Sequence, residues 1–179
     1  MTVALDPAIG WTLSLALALL LGGGAAHKLR DLARFRAALG GYRVLPAPLL
    51  PLAAVLVIGS EVVAATLLLF VSTRPGGAAL AAGLLGAYAL ALATNLLRGR
   101  TRLDCGCLSF GRSDRIAWWM VGRNVGLMAI AGLAALPSSL RELVALDRLT
   151  IGGTVASAAL LYAASGRLGA TSLERGPTS

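Results

Sequence analysis

The chain has 179 residues, of which 57% are hydrophobic and only 13% are charged. Soluble domains average roughly 45–50% apolar and about 25% charged residues, so this composition excludes an ordinary water-soluble globular protein. The net charge of +8 could suggest nucleic-acid binding. However, the basic residues flank long apolar runs, where they normally set membrane orientation and contact lipid head groups. The composition therefore predicts an all-α, polytopic membrane protein that binds lipid and no nucleic acid.

Five apolar segments follow one another, at residues 9–26, 46–71, 77–97, 116–136 and 149–164. A spanning helix needs about 20 mainly apolar residues, which the second, third and fourth segments reach. The first ends in glycines typical of close helix packing, and the fifth is short and rich in small residues. We predict a single domain over residues 1–165, a bundle of four to five transmembrane helices, and a polar, disordered tail over residues 166–179. No positive region precedes the first segment, which we interpret as a retained helix rather than a signal peptide.

Apolar residues recur at spacings of three and four in the loop after the first segment, at Leu29, Leu32, Phe35 and Leu39. Arginines occupy the other face of the same pattern. This arrangement is typical of an amphipathic helix lying at the membrane interface. The pair Gly40-Gly41 is expected to end that helix.

Basic residues are concentrated in two loops, one after the first segment and one after the third. An even number of predicted spans separates these loops, so they lie on the same side of the membrane. The opposite side carries a mixed set of acidic and basic residues. The positive-inside rule therefore predicts that both basic loops face the cytoplasm and that the N-terminus lies outside.

The second basic loop contains the only two cysteines of the chain, Cys105 and Cys107, separated by Gly106. A disulfide across one residue closes a small, strained ring, and strained disulfides are oxidising and labile. Neighbouring Arg98 and Arg100 favour the reactive thiolate, whereas Asp104 opposes it. The pair therefore predicts a dithiol/disulfide couple. The alternatives are metal binding by both thiolates with His27, although no second Cys/His pair is present to complete a site, and two thiols without a role.

Four further polar residues are candidates for function. Glu61 lies near the middle of the second segment, where an ionisable group is costly and indicates a functional site. Arg123 in the fourth segment is its expected countercharge. The pair either orders the bundle or lines a small-molecule site, for which a quinone that reoxidises the cysteines is one candidate. His27 and Asn95 lie at helix ends on the cysteine side, and histidine titrates near neutral pH, which suits proton transfer beside a thiol.

Together these motifs resemble the methylamine-utilisation protein MauE family, within the wider MauE/DoxX group of redox-associated membrane proteins. The resemblance extends from the first helix through the fourth. The element shared with DoxX-like proteins includes Lys28, Arg30 and Asp31. More specific to MauE is Cys-Gly-Cys after the Asn95-Leu-Leu-Arg-Gly-Arg run. The matching stretches are residues 24–39, 42–46, 61, 95–100 and 104–107.

The resemblance implies a multi-pass protein of the bacterial inner membrane that supports maturation of methylamine dehydrogenase, whose small subunit is rich in disulfides. It implies a thioredoxin-like partner of the MauD type and a disulfide-containing client. The expected reaction is thiol–disulfide exchange at Cys105 and Cys107, with proton transfer by His27. The other candidate residues would support it. They are Lys28, Arg30, Asp31, Glu61, Asn95, Arg98, Arg100, Asp104 and Arg123.

Two other functions remain open at this stage. One is a non-catalytic assembly factor or membrane anchor for the thioredoxin-like partner, and the other is a small transporter, which would need a polar path through the bundle. The orientation is open as well. Maturation of an exported enzyme needs thiols on the outer face, because the cytosol keeps thiols reduced, whereas the charge distribution places them inside.

Overall fold

The computed structural model describes residues 4–101, 116–139 and 141–174. These residues form a bundle of α-helices, and the one β-type contact among them is an isolated bridge between Leu5 and Ser138. The all-α prediction is therefore confirmed. The helices are α1 (Pro7–Arg30), α2 (Leu32–Gly41), α3 (Leu50–Leu68), α4 (Arg74–Leu97), α5 (Trp118–Ala134) and α6 (Ala145–Glu174), with a 3₁₀ turn at Ala47–Leu49 that leads into α3.

Within this described part of the chain, three helical stretches are long and apolar enough to cross a membrane: α1, α3 with its preceding 3₁₀ turn, and α4. Helix α5 coincides with the fourth predicted segment, and its 17 residues are at the lower limit for a spanning helix. The fifth segment lies inside α6, which has 30 residues. Because α6 continues to Glu174, the predicted tail boundary at residue 166 falls within a helix.

The core of the bundle is formed by α1, α3, α4 and α5, and it consists of leucines and alanines. Small side chains let the helix backbones approach closely, which is how helices associate in lipid. The closest approach is at Gly77, where a Cβ atom would lie 2.9 Å from both Leu67 Cβ and the Leu68 backbone nitrogen. Glycine is therefore needed where the start of α4 meets the end of α3.

Helix α2 is the predicted amphipathic helix, and Gly41 ends it as expected. Asp31 separates it from α1 and caps it by accepting a hydrogen bond from Arg34 N at 2.9 Å. The turn at Asp31 directs Phe35 back onto α1 and α3, where it packs against Ala25 and Ile58. Leu29, the first apolar residue of the predicted pattern, belongs instead to the last turn of α1, because the helix breaks at Asp31, and it is 59% exposed. The apolar face of α2 thus contacts the bundle through Phe35 instead of lying wholly on lipid.

The first basic loop and the described ends of the second, at residues 98–101 and 116–117, lie at the same end of the bundle. Tyr42 from the first loop packs in one cluster with Leu92 of α4, with Met120 of α5 and with Ile116, which precedes α5. At this end, which we call the loop end, Ile116 N donates a 2.8 Å hydrogen bond to Thr101 O. Thr101 and Ile116, the described residues on either side of positions 102–115, are therefore adjacent in space.

Candidate functional site

A buried ion pair joins α1 to α3. Lys28 Nζ lies 2.6 Å from Glu61 Oε1, and each side chain is only 2% exposed. Both residues lie on the buried faces of their helices. On α1, the buried residues Leu17, Leu21, Gly24 and Lys28 follow one another at spacings of three or four, which places them on one face. The pair lies directly against the α1 backbone at Gly24, where a Cβ would be in ordinary van der Waals contact at 3.5 Å from both Glu61 Oε1 and Lys28 Nζ.

Aromatic side chains surround this pair. The hydroxyl of Tyr88 in α4 donates a 2.6 Å hydrogen bond to Glu61 Oε1. The Lys28 ammonium lies 5.4 Å from the centroid of the Tyr88 ring and 5.5 Å from that of Phe35, within the range of cation–π attraction. Lys28, Glu61 and Tyr88 therefore tie α1, α3 and α4 together in a setting where the charges are shielded from water.

Two cavities adjoin Lys28 and Tyr88. The smaller, which we call the polar pocket, also contains Glu61, Arg123 and Asn124 and has a volume of about 30 Å³, which is the size of one or two water molecules. Glu61 Oε2 is buried and receives no hydrogen bond from the described residues. The larger, which we call the apolar cavity, has a volume of about 160 Å³ and lies between α2, α3 and α4.

The partner of Glu61 differs from the prediction. Sequence analysis assigned Arg123 as its countercharge, whereas the ion pair in the structure is with Lys28. The long lysine side chain extends inward from the last turn of α1 and reaches Glu61. Arg123 still lines the same pocket, and its guanidinium stacks 5.4 Å from the centroid of the Trp119 ring. The helical spacing of the buried residues on α1 was the signal that could have identified Lys28.

The remaining candidates lie at or near the loop end. Asn95 is completely buried; its Nδ2 donates to Ala91 O at 3.0 Å, and its backbone oxygen accepts from Arg100 N at 2.9 Å. It therefore shapes the chain where it leaves α4. His27, Arg30 and Arg98 are exposed, so His27 points away from the polar pocket that its neighbour Lys28 enters. Asp104, Cys105 and Cys107 lie outside the described residues.

A second polar cluster, which sequence analysis missed, occupies the opposite end. Arg74 is only 3% exposed; its guanidinium lies 4.7 Å from the Trp11 ring centroid, and Nη1 donates to Ser138 Oγ at 3.1 Å. The exposed side chain of Arg141 lies nearby and donates hydrogen bonds to the carboxylates of Asp6 and Asp147. These hydrogen bonds hold the pKa of both carboxyls below the usual 3.8.

The leucine- and alanine-rich core separates the two polar clusters. Along α1, Leu17 and Leu21 lie between Trp11 and Lys28; along α4, Ala78, Ala81 and Leu85 lie between Arg74 and Tyr88. These core residues are almost fully buried. Among the described residues, a band of apolar side chains therefore separates the polar groups of the loop end from the Arg74 cluster.

The relatives of the chain decide its family. A family model described as "Methylamine utilisation protein MauE" matches residues 6–137. The chain belongs to the MauE family. The matched MauE region contains the whole Lys28–Glu61–Tyr88 cluster and both cysteines, whereas α6 lies beyond it.

Relatives named methylamine utilization protein MauE match nearly the whole chain. Methylamine utilization protein MauE of Paracoccus denitrificans is 37% identical over 174 residues, covering 94% of this chain and 91% of the relative. The MauE of Paracoccus versutus is 39% identical, covering 92% and 89%. That of Methylophilus methylotrophus is 33% identical, covering 89% and 85%. No solved structure matches this MauE chain significantly.

Proposed function

We propose that this chain is an inner-membrane protein of methylamine utilisation that performs thiol–disulfide exchange at Cys105 and Cys107 during maturation of a partner protein. Family membership supports the biological setting. The proposal of thiol–disulfide exchange is supported by the arrangement of residues at the loop end. The cysteine-bearing segment joins the bundle at Thr101 and Ile116, at the end where Lys28, Glu61 and Tyr88 form the polar pocket.

The proposed reaction moves two electrons from a client to the cysteine pair. A client thiolate attacks the Cys105–Cys107 disulfide and forms a mixed disulfide. A second client thiolate then attacks the mixed disulfide, which leaves a client disulfide and the dithiol on this chain. A thioredoxin-like protein of the MauD type would exchange with the same pair, and the client would resemble the small subunit of methylamine dehydrogenase.

Charge at the loop end suits this reaction. Arg98 is exposed at the end of α4, and Arg100 follows it. Positive charge near a cysteine stabilises its thiolate, the nucleophilic form. Exposed His27, in the last turn of α1, is available at the same end to exchange protons with solvent.

A non-catalytic assembly factor is the second candidate, and the buried ion pair favours it. Lys28 and Glu61 are almost fully buried and connect two helices, which is expected of a structural element as much as of a reactive one. In that function the fold of the bundle would hold a thioredoxin-like partner at the membrane, and the cysteines would be dispensable.

The two functions are separated by replacing the cysteines in a methylamine-grown host that lacks its own MauE protein. We expect Cys105→Ser/Cys107→Ser to accumulate normally while the dehydrogenase small subunit lacks its disulfides and its activity. Ser109→Ala, in the same segment, is the matched control and should restore full activity. Full activity of the double cysteine variant would contradict the redox function and favour the assembly factor.

The orientation of the cysteines is measured in the same cells with a membrane-impermeant maleimide. The maturation function predicts labelling from outside only after mild reduction, because an outward-facing pair would be held oxidised. Free thiols that react only after lysis would place the pair in the cytoplasm. That result would contradict oxidation of an exported client by this pair.

A further inference from the structure

The apolar cavity beside Lys28 has the size of a single ring. Its volume is about 160 Å³, and a cavity of about 150 Å³ in a protein core accommodates a benzene ring. Sites for drug-sized ligands and larger cofactors are roughly 300–1,000 Å³. The volume therefore suits one six-membered ring within the cavity.

The walls of the cavity are aromatic and aliphatic. Phe35 and Tyr42 of the α2 region and Tyr88 of α4 provide ring surfaces, and Val57 and Leu92 complete the apolar lining. Flat rings pack well against such side chains. A saturated acyl chain cannot stack on the three aromatic side chains and would gain less interaction energy from them.

The inner end of the cavity carries one cation. Lys28 lines both cavities, and one of its three N–H donors bonds Glu61 Oε1. Its ammonium lies between the Phe35 and Tyr88 rings. A ligand whose ring bears a hydrogen-bond acceptor, such as a carbonyl oxygen, would find a charged donor there.

The outer end is apolar and open. Val44 and Leu45 lie at the rim and are 56% and 40% exposed. An apolar opening at the loop end of a membrane bundle suits a hydrocarbon tail that extends into lipid.

We infer that the apolar cavity binds the head-group ring of a membrane quinone, with Lys28 donating to a ring carbonyl oxygen and the tail leaving past Val44 and Leu45. The inference rests on the proposed function, for which it supplies the oxidant. The Cys105/Cys107 dithiol loses two electrons and two protons as its disulfide forms. The quinone gains both electrons and both protons and becomes a quinol. Lys28 and Tyr88 line the cavity and carry the protons of the hydrogen bonds to Glu61, so they are placed to pass protons to the ring, and the dithiol protons replace those that are passed on.

The experiment measures binding of decylubiquinone, a benzoquinone with a ten-carbon tail, to the full chain in phosphatidylcholine nanodiscs by calorimetric titration. Ala91→Leu fills the cavity, because Ala91 lines it. We expect saturable binding to one site, weakened at least about tenfold by Ala91→Leu. Ala93→Leu on the same helix is the matched control, since Ala93 is not among the residues that line the cavity, and it should change the Kd less than about twofold.

Two further variants keep the test decisive. If Ala91→Leu does not fold, Ala87→Leu at the exposed rim replaces it, with the same expected loss. The double variant Lys28→Met/Glu61→Gln removes both charges together, so no lone charge stays buried, and it should also weaken binding at least about tenfold.

The inference is overturned by absence of saturable binding, by equal binding to the Ala91→Leu and Ala93→Leu variants, or by equal competition from n-decanol, which would show an acyl-chain site. Cys105→Ser/Cys107→Ser should bind the quinone with an unchanged Kd. Loss of quinone binding with cysteine-dependent maturation intact would overturn this inference alone. Normal quinone binding with cysteine-independent maturation would overturn the proposed redox function instead.

Discussion

Lys28 Nζ and Glu61 Oε1 are 2.6 Å apart, in an environment that leaves each side chain only 2% exposed. A charge in this position is tolerable only with its counter-ion, because an unpaired buried charge loses its hydration without compensation. The pair therefore constrains how α1 and α3 pack, and it places an ammonium and a carboxylate beneath the loop end. This pair, the Tyr88 hydroxyl bonded to it, the helix contact at Gly77 and the Arg141 cluster each lead to a measurable consequence.

The first concerns the ion pair itself. Lys28→Met leaves Glu61 buried without its cation, and we expect it to lower the free energy of unfolding by about 3–5 kcal/mol. Lys28→Met/Glu61→Gln should recover most of that loss, because it removes both charges. The measurement is denaturant unfolding in detergent micelles. His27→Ala, at the adjacent exposed position, is the control and should change stability little. If the double variant were no more stable than Lys28→Met, the loss of stability would not come from the unpaired charge of Glu61.

The second isolates the Tyr88 hydroxyl. Tyr88→Phe keeps the ring near Lys28 and removes the 2.6 Å hydrogen bond to Glu61. Hydrogen bonds to charged groups contribute roughly 1.5–3 kcal/mol, so a decrease of that size in the unfolding free energy is expected. Leu90→Ala, at a side chain that is 66% exposed on the same helix, controls for general effects on α4. An unchanged unfolding midpoint for Tyr88→Phe would show that this hydrogen bond makes no net contribution to the free energy of unfolding.

The third tests the closest helix contact. Gly77→Ala places a methyl group 2.9 Å from the Leu68 backbone nitrogen, and such overpacking typically costs about 1–3 kcal/mol. At the neighbouring Gly76, a Cβ would meet no atom within 4 Å. Gly76→Ala should therefore be neutral or stabilise by up to about 1 kcal/mol, because alanine favours the helix. Equal effects on thermal unfolding at the two positions would exclude the close-approach explanation.

The fourth concerns pH at the opposite end. Arg141 lowers the pKa of Asp6 and Asp147 below 3.8 by hydrogen bonding to both carboxylates. A lowered folded-state pKa adds stability above the unfolded pKa, and this stability is lost as pH falls through the folded pKa. The melting temperature of the native chain should therefore exceed that of Arg141→Met by a constant margin above about pH 5. The margin should shrink below pH 3.8. A margin independent of pH would contradict the carboxylate linkage.

Much of the architecture was evident from periodicity and composition. Apolar runs of membrane-spanning length determined that the chain is an all-α membrane bundle, and the recurrence at Leu32, Phe35 and Leu39 predicted α2, which the structure confirms. The position of Glu61 within an apolar run predicted its burial, which is also observed. These features are local, because hydrogen bonding within a helix and the avoidance of water by apolar side chains depend on nearby residues.

The tertiary structure alone decided which groups meet. The sequence predicted Arg123 as the partner of Glu61 and gave no sign that Arg74 would be buried. The packing instead turned Lys28 inward to Glu61 and buried Arg74 against Trp11. An ion pair in a dry interior depends on ångström-scale distances between side chains of different helices. Those distances follow from the rotation and close approach of whole helices, which glycines such as Gly77 permit and which no short stretch of sequence specifies.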